Sequence, residues 1–95
     1  MKAIWKDKVL AQSAETVSLE GNNYFPPESV NMEYFQDGTR QYTCPWKGES
    51  KYWDVVVDDE VNDNSAWSYP EPKEAALEIK GHMAFDLSSG IEITQ

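Results

Sequence analysis

Cysteine, basic side chains and long apolar runs are all scarce in this chain. Of 95 residues only Cys44 is a cysteine, which leaves no partner for an intrachain disulfide and no basis for a cysteine-rich zinc site. Eight Lys and Arg face 17 Asp and Glu, a net charge of −9. Affinity for nucleic acid usually comes from basic side chains that neutralise phosphates, so no nucleic-acid partner is expected. No stretch approaches the roughly 20 apolar residues of a membrane helix, so no membrane partner is expected either. Residues 1–10 mix three lysines and one aspartate with apolar positions and lack the apolar centre of a signal peptide. A cytoplasmic location follows, which also suits a free thiol. Phosphate loops of the GxxxxGK[ST] or GxGxxG kind and the GxSxG serine elbow are missing.

What the chain does have is a hydrophobic share of 40 % and an aromatic share of 13 %, enough for one modest core. The length fits a single domain over residues 1–95. The dominant period is two. Residues 50–57 put Trp53, Val55 and Val57 on one face and Tyr52, Asp54 and Val56 on the other, the pattern of a central strand. Residues 16–20 alternate in the same way, and 3–5, 9–13, 40–44 and 91–94 are shorter strands. Turn chemistry separates them at Asp7-Lys8, Gly21-Asn22-Asn23, Asp37-Gly38, Asp58-Asp59 and Ser88-Ser89-Gly90. Helix is expected only near 27–33 and 73–80, where Pro27, Pro72 and Gly81 stand at starting and stopping positions. The pattern predicts a mainly β domain of short antiparallel strands with one or two short helices.

Aromatic residues cluster. Tyr42, Trp46, Tyr52, Trp53, Trp67 and Tyr69 are half of the four tryptophans, five tyrosines and three phenylalanines. Trp46, Trp67 and Tyr69 fall in loop-like sequence beside Pro45 and Pro70. Such rings either plug the open end of a small β-structure or wall a ligand pocket. Cys44-Pro45-Trp46-Lys47-Gly48 places a thiol near a lysine that would favour the thiolate, and His82 is the one histidine available as a base. Cys44, His82 and Lys47 are therefore the catalytic candidates, set against the ordinary reading of Cys44 as a small buried hydrophobe. No metal site is expected: Asp58-Asp59-Glu60 with Asp63 lacks the ligand ladder and glycine of a calcium loop. No cofactor is implied.

The ordered strings Tyr24-Phe25-Pro26, Thr43-Cys44-Pro45-Trp46-Lys47-Gly48 with Tyr52-Trp53, and Ala66-Trp67-Ser68-Tyr69-Pro70 with Gly81-His82-Met83-Ala84-Phe85 carry a resemblance. Together they resemble the small bacterial family catalogued as domain of unknown function 427, labelled in places as a nucleotidyltransferase. The resemblance runs from Lys2 to about Ile93. It implies a tent-like pair of packed antiparallel sheets and brings no established activity. Nucleotidyl transfer needs two carboxylates on metal ions and a loop cradling phosphates. The nearest carboxylate pairs here, Asp54/Asp58 and Asp58/Asp59, have no glycine-serine loop ahead of them.

The combined reading is a binding module for an unidentified small molecule, working as a monomer or weak homo-oligomer. Tyr24, Trp46, Lys47, Tyr52, Trp67 and Tyr69 are its expected ligand-binding residues, with Cys44 and His82 at the rim. The alternatives are an enzyme, through Cys44 and His82 or through the nucleotidyl label, and a subunit-interaction protein.

Overall fold

Three tight hairpins organise the chain. In the computed structural model, which describes residues 1–95, β1 (Lys2–Trp5) turns into β2 (Lys8–Gln12) through Lys6-Asp7. β3 (Val17–Leu19) turns into β4 (Asn22–Tyr24) through Glu20-Gly21. The pair β6 (Gly48–Val57) and β7 (Glu60–Ser68) is joined by Asp58-Asp59. Both residues of each turn have positive φ, between 50° and 79°. Two-residue turns of this hand match the right-handed twist of the strands, and short acidic residues tolerate the left-handed region.

β5 (Phe35–Cys44) pairs with β6, and β8 (Met83–Phe85) with β7, giving a four-stranded antiparallel sheet in the order β5-β6-β7-β8. A second sheet has the order β2-β1-β9, with β9 (Glu92–Thr94) pairing β1. The hairpin β3-β4 is attached to the large sheet by a bridge between Phe25 and Met83. The mainly β, antiparallel architecture is the one that the period-two pattern predicts, and residues 50–57 do form a strand between two neighbours.

Alternation along the large sheet feeds two cores. The register pair Ala66–Phe85 belongs to a cluster with Ala3, Leu10, Ala11, Phe25, Val55, Val57, Met83 and Ile91. The next residues along, Trp67 and Ala84, serve a cluster with Tyr24, Cys44, Tyr69, Ala76 and Ile79. Successive side chains of a strand point to opposite faces, so both faces of the sheet are covered. Phe25 meets Phe85 edge-on, with ring centroids 5.7 Å apart, in the first cluster.

The centre of the sheet is bent. Between the pairs Asp37–Trp53 and Gln41–Lys51, β5 has two more residues than β6; β7 has two more between Asn62–Val55 and Ala66–Trp53. These bulges flank the same stretch of β6 and are tied together. The Asn64 carboxamide oxygen accepts from the backbone N–H groups of Thr39 and Arg40 at 2.9 and 3.0 Å. The Asn64 N–H donates to the buried Asp54 carboxylate at 2.8 Å, which also accepts from the Gln36 amide at 3.1 Å. Gly38 lies under this tie: a Cβ there would stand 2.4 Å from Asn64 Oδ1 and 2.9 Å from the Tyr52 carbonyl oxygen. Bulges strengthen local twist and re-aim side chains.

Several expectations are corrected by these elements. Trp67 lies on a strand, β7, and not on a loop; the polar run Asn62-Asp63-Asn64-Ser65 hid this strand because the bulge breaks its alternation. β4 and β8, of three residues each, were too short to show a period. Two strands reach ten residues, longer than the short strands expected. The expected helices are 3₁₀ turns, at Pro27–Ser29, Met32–Tyr34 and Glu74–Ile79, with a further one at Leu87–Ser89. Ala76, at φ −123°, breaks the third of them, so no α-helical turn propagates.

Candidate functional site

Lys47 sits in the turn after β5, and its side chain is folded inward rather than out to solvent. The residue is only 6 % exposed. Its ammonium pairs with the carboxylate of Glu20, the first residue of the β3-β4 turn. The same ammonium lies 5.5 Å from the Trp46 ring centroid and 5.3 Å from that of Tyr69. Buried charge requires compensation of this sort, because desolvation disfavours the ionised form.

The electrostatics follow from that contact. The Lys47 hydrogen bond holds the Glu20 carboxyl below its ordinary range against some desolvation, helped by the ammonium charge and the Trp46 indole. Burial works to lower the Lys47 pKa, but the Glu20 hydrogen bond and the neighbouring Tyr24, Tyr69 and Glu20 charges outweigh it and raise the value. Burial pushes the Tyr69 phenol up to about 12; Lys47 opposes this, and Tyr24 and Cys44 add to it.

Beyond Tyr69 the aromatic series continues across the sheet. The buried Tyr24 hydroxyl accepts from the Trp67 indole N–H at 3.2 Å. Trp67 then meets Tyr52 on the adjacent strand, with centroids 6.1 Å apart. The Arg40 guanidinium lies over the other end of the series, 5.1 Å from the Tyr52 centroid. Trp46, Lys47 and Tyr69 thus form one contact group and Tyr24, Trp67 and Tyr52 another, and Tyr24 and Tyr69 belong to the same core cluster.

Their exposures divide them. Tyr24 and Tyr69 are 0 % and 2 % exposed and belong to the second core cluster, so their rings are packing and not accessible wall. Trp46 is 38 % exposed, and Trp67 and Tyr52 are half-buried. Of these six, Tyr52 lines an open cleft. That cleft, of about 390 Å³, runs between the β5-β6 strands and the loop after β7, and is lined by Arg40, Gln41, Glu49, Ser50, Lys51, Tyr52, Pro70 and Glu71 among others. The loop connects it to Lys47: the Lys73 N–H donates to the Lys47 carbonyl at 2.8 Å, and the Lys73 ammonium to the Pro45 carbonyl at 2.7 Å.

Sequence reasoning missed Glu20, Arg40 and Glu71. Glu20 lies 27 positions from Lys47, and only the fold joins them. Arg40, the one arginine, sits in a bulge that alternation does not reveal.

The catalytic candidates are placed differently. Cys44 is buried at the end of β5 among Tyr24, Tyr69 and Ile79. The His82 ring bonds the Lys80 carbonyl at 2.9 Å, not the thiol. Asp54 is engaged by Gln36 and Asn64, while Asp58 and Asp59 form a hairpin turn. No three His, Cys, Asp or Glu side chains gather as a metal-binding group. No helix is long and apolar enough to cross a membrane.

The fold and this surface define a small β domain of bulged antiparallel sheets with an aromatic series crossing one face. The chain belongs to the family described as domain of unknown function (DUF427), whose model matches residues 1–94, as the motif strings suggested. Among curated proteins none matches the chain.

Proposed function

We propose that the protein is a binding module for a small molecule, with its site in the cleft between β5-β6 and the loop 70–73. The observation that carries the reading is the cleft of about 390 Å³ beside Tyr52, a size within the range of small-ligand sites. Tyr52 offers an aromatic wall continuous with Trp67, and Arg40, Gln41, Lys51 and Glu71 converge as orienting polar groups. Lys47 and Glu20 act as a strut in this reading: their pair, with Lys73 bonded to the same turn, holds the loop against the strands. The module works as a monomer or weak homo-oligomer in the cytoplasm, without cofactor or nucleic-acid partner.

The family label that mentions nucleotidyl transfer gains little support, since the carboxylates are engaged in the bulge network or dispersed in a turn. Thiol catalysis gains little either, because Cys44 is buried and His82 is turned to Lys80. The test is a metabolite library screened by thermal shift and tryptophan fluorescence, with hits mapped by amide chemical shifts. A saturable hit that moves the amides of residues 38–41, 49–52 and 70–71 is the expected result. Hits that map only elsewhere, or a library without a hit at millimolar concentration, would overturn the reading.

A further inference from the structure

Resting on that reading of the cleft, we infer that its ligand is a small zwitterion of amino-acid or dipeptide size, its carboxylate held by Arg40 and its ammonium group by Glu71. Arg40 is the chain's one arginine. The three ion pairs of the molecule are Lys6–Glu60, Lys47–Glu20 and Lys51–Asp37, and none includes Arg40, Glu49 or Glu71. The cleft therefore presents Arg40, Glu49 and Glu71 outside any ion pair, beside Lys51, which pairs with Asp37. A guanidinium has five N–H donors in a planar fork that fits a carboxylate, and the Arg40 fork makes no hydrogen bond within the protein. Its Cζ lies 5.1 Å from the Tyr52 ring centroid, a cation–π contact that draws the guanidinium toward the cleft wall.

The backbone beneath Arg40 is held with equal care. Its N–H and that of Thr39 both donate to Asn64 Oδ1, and Asn64 is itself in the left-handed region, φ 50°, anchored by buried Asp54. Strained or bulged backbone of this kind is concentrated where a side chain must be aimed. Charge chooses between a zwitterion and a simple anion. A molecule of net charge −9 repels anions through its overall field, whereas a zwitterion carries no net charge into that field. The acidic lining residues Glu49 and Glu71 likewise oppose an anion and favour an ammonium group beside the carboxylate.

The experiment is ligand-observed NMR titration of the full chain with the free L-amino acids and glycylglycine. Each is compared with its decarboxylated amine, its N-acetyl derivative and inorganic phosphate. At least one zwitterion is expected to bind. Arg40→Ala should weaken it roughly ten- to hundredfold, the range for losing hydrogen bonds to a charged group, and Arg40→Lys should not restore it. Glu71→Gln and N-acetylation should each weaken binding as well. Arg40 is exposed, so these variants keep the fold, which circular dichroism and thermal melting check. Equal binding of phosphate or of the N-acetyl derivatives would overturn the inference in favour of a plain anion site. Zwitterion binding indifferent to Arg40→Ala, or no binding by any zwitterion, would overturn it too. A library hit of other chemistry at the same amides would leave the binding-module reading standing without it.

Discussion

Gly38→Ala isolates the tie between the two bulges. An ordinary glycine-to-alanine change outside the left-handed region stabilises a protein by about 0.4–1 kcal/mol, by restricting the unfolded chain. Gly38 is outside that region, yet its added Cβ would lie 2.4 Å from Asn64 Oδ1 and 2.9 Å from the Tyr52 carbonyl oxygen. The Asn64 side chain must then withdraw, and its bonds from Thr39 and Arg40 are lost. Each is worth about 0.5–1.5 kcal/mol net, with the low end apt because both N–H groups can turn to water. Adding displacement of the Tyr52 carbonyl and subtracting the unfolded-state gain leaves a destabilisation of about 1–2 kcal/mol. For a chain of this length that lowers the melting temperature by roughly 5–15 °C. Urea denaturation of the wild type, Gly38→Ala, Asn64→Gly and the double variant supplies a cycle. Asn64→Gly keeps the positive φ accessible while removing the carboxamide, so Gly38→Ala should cost under about 1 kcal/mol in that background. A neutral or stabilising Gly38→Ala, or an equal cost in both backgrounds, would refute the argument.

Three further outcomes are expected. Tyr24→Phe removes the acceptor of the Trp67 indole N–H at the edge of the second core, costing about 1–3 kcal/mol by urea denaturation and changing the tryptophan emission; unchanged stability would show that water replaces the hydroxyl. At alkaline pH the unfolded chain loses its Tyr69 proton near 10, whereas the folded chain keeps it to about 12, so this contribution is complete below pH 10 and disappears between 10 and 12. Lys47, also raised, adds a loss of the same sign above its ordinary value, and an ultraviolet titration in which all five tyrosines ionise together near 10 would contradict the burial of Tyr69. Cys44 should react with a disulfide reagent far more slowly in the native than in the unfolded protein, and equal rates would place the thiol at the surface.

The strand at residues 50–57 was legible because one face alternates Trp53, Val55 and Val57 without interruption. The Asp58-Asp59 hairpin was legible from the residues that tolerate its backbone. β7 was not, since three bulge residues between Asn62 and Ala66 erase the alternation that its partner retains. In the sequence Lys47 adjoins Trp46, and Ser68 stands between Trp67 and Tyr69, the mixture of rings and polar groups that a ligand pocket would also show. In the fold those polar groups meet internal partners: Lys47 meets Glu20, Ser68 accepts from the Trp53 indole, and the Tyr24 hydroxyl accepts from Trp67. An amphipathic neighbourhood in sequence therefore described a satisfied core edge as well as it described a pocket. The cleft escaped notice because its cation comes from a bulge on an edge strand and its acid from the loop after β7, segments with no shared period.

Tyr24 and Phe25 are adjacent in the chain, yet each is completely buried in a different core. This dipeptide works as a two-toothed key. Shifting it by one position in one direction would carry a phenol into the apolar cluster around Phe85, and in the other would set a phenyl ring against the Trp67 indole. No other register serves both layers at once, so the two faces of the sheet have to be assembled in mutual agreement. Insertions and deletions should accordingly be tolerated in the segment 13–16 before β3 and rejected between Asn22 and Pro26, where the length of the chain itself encodes the match.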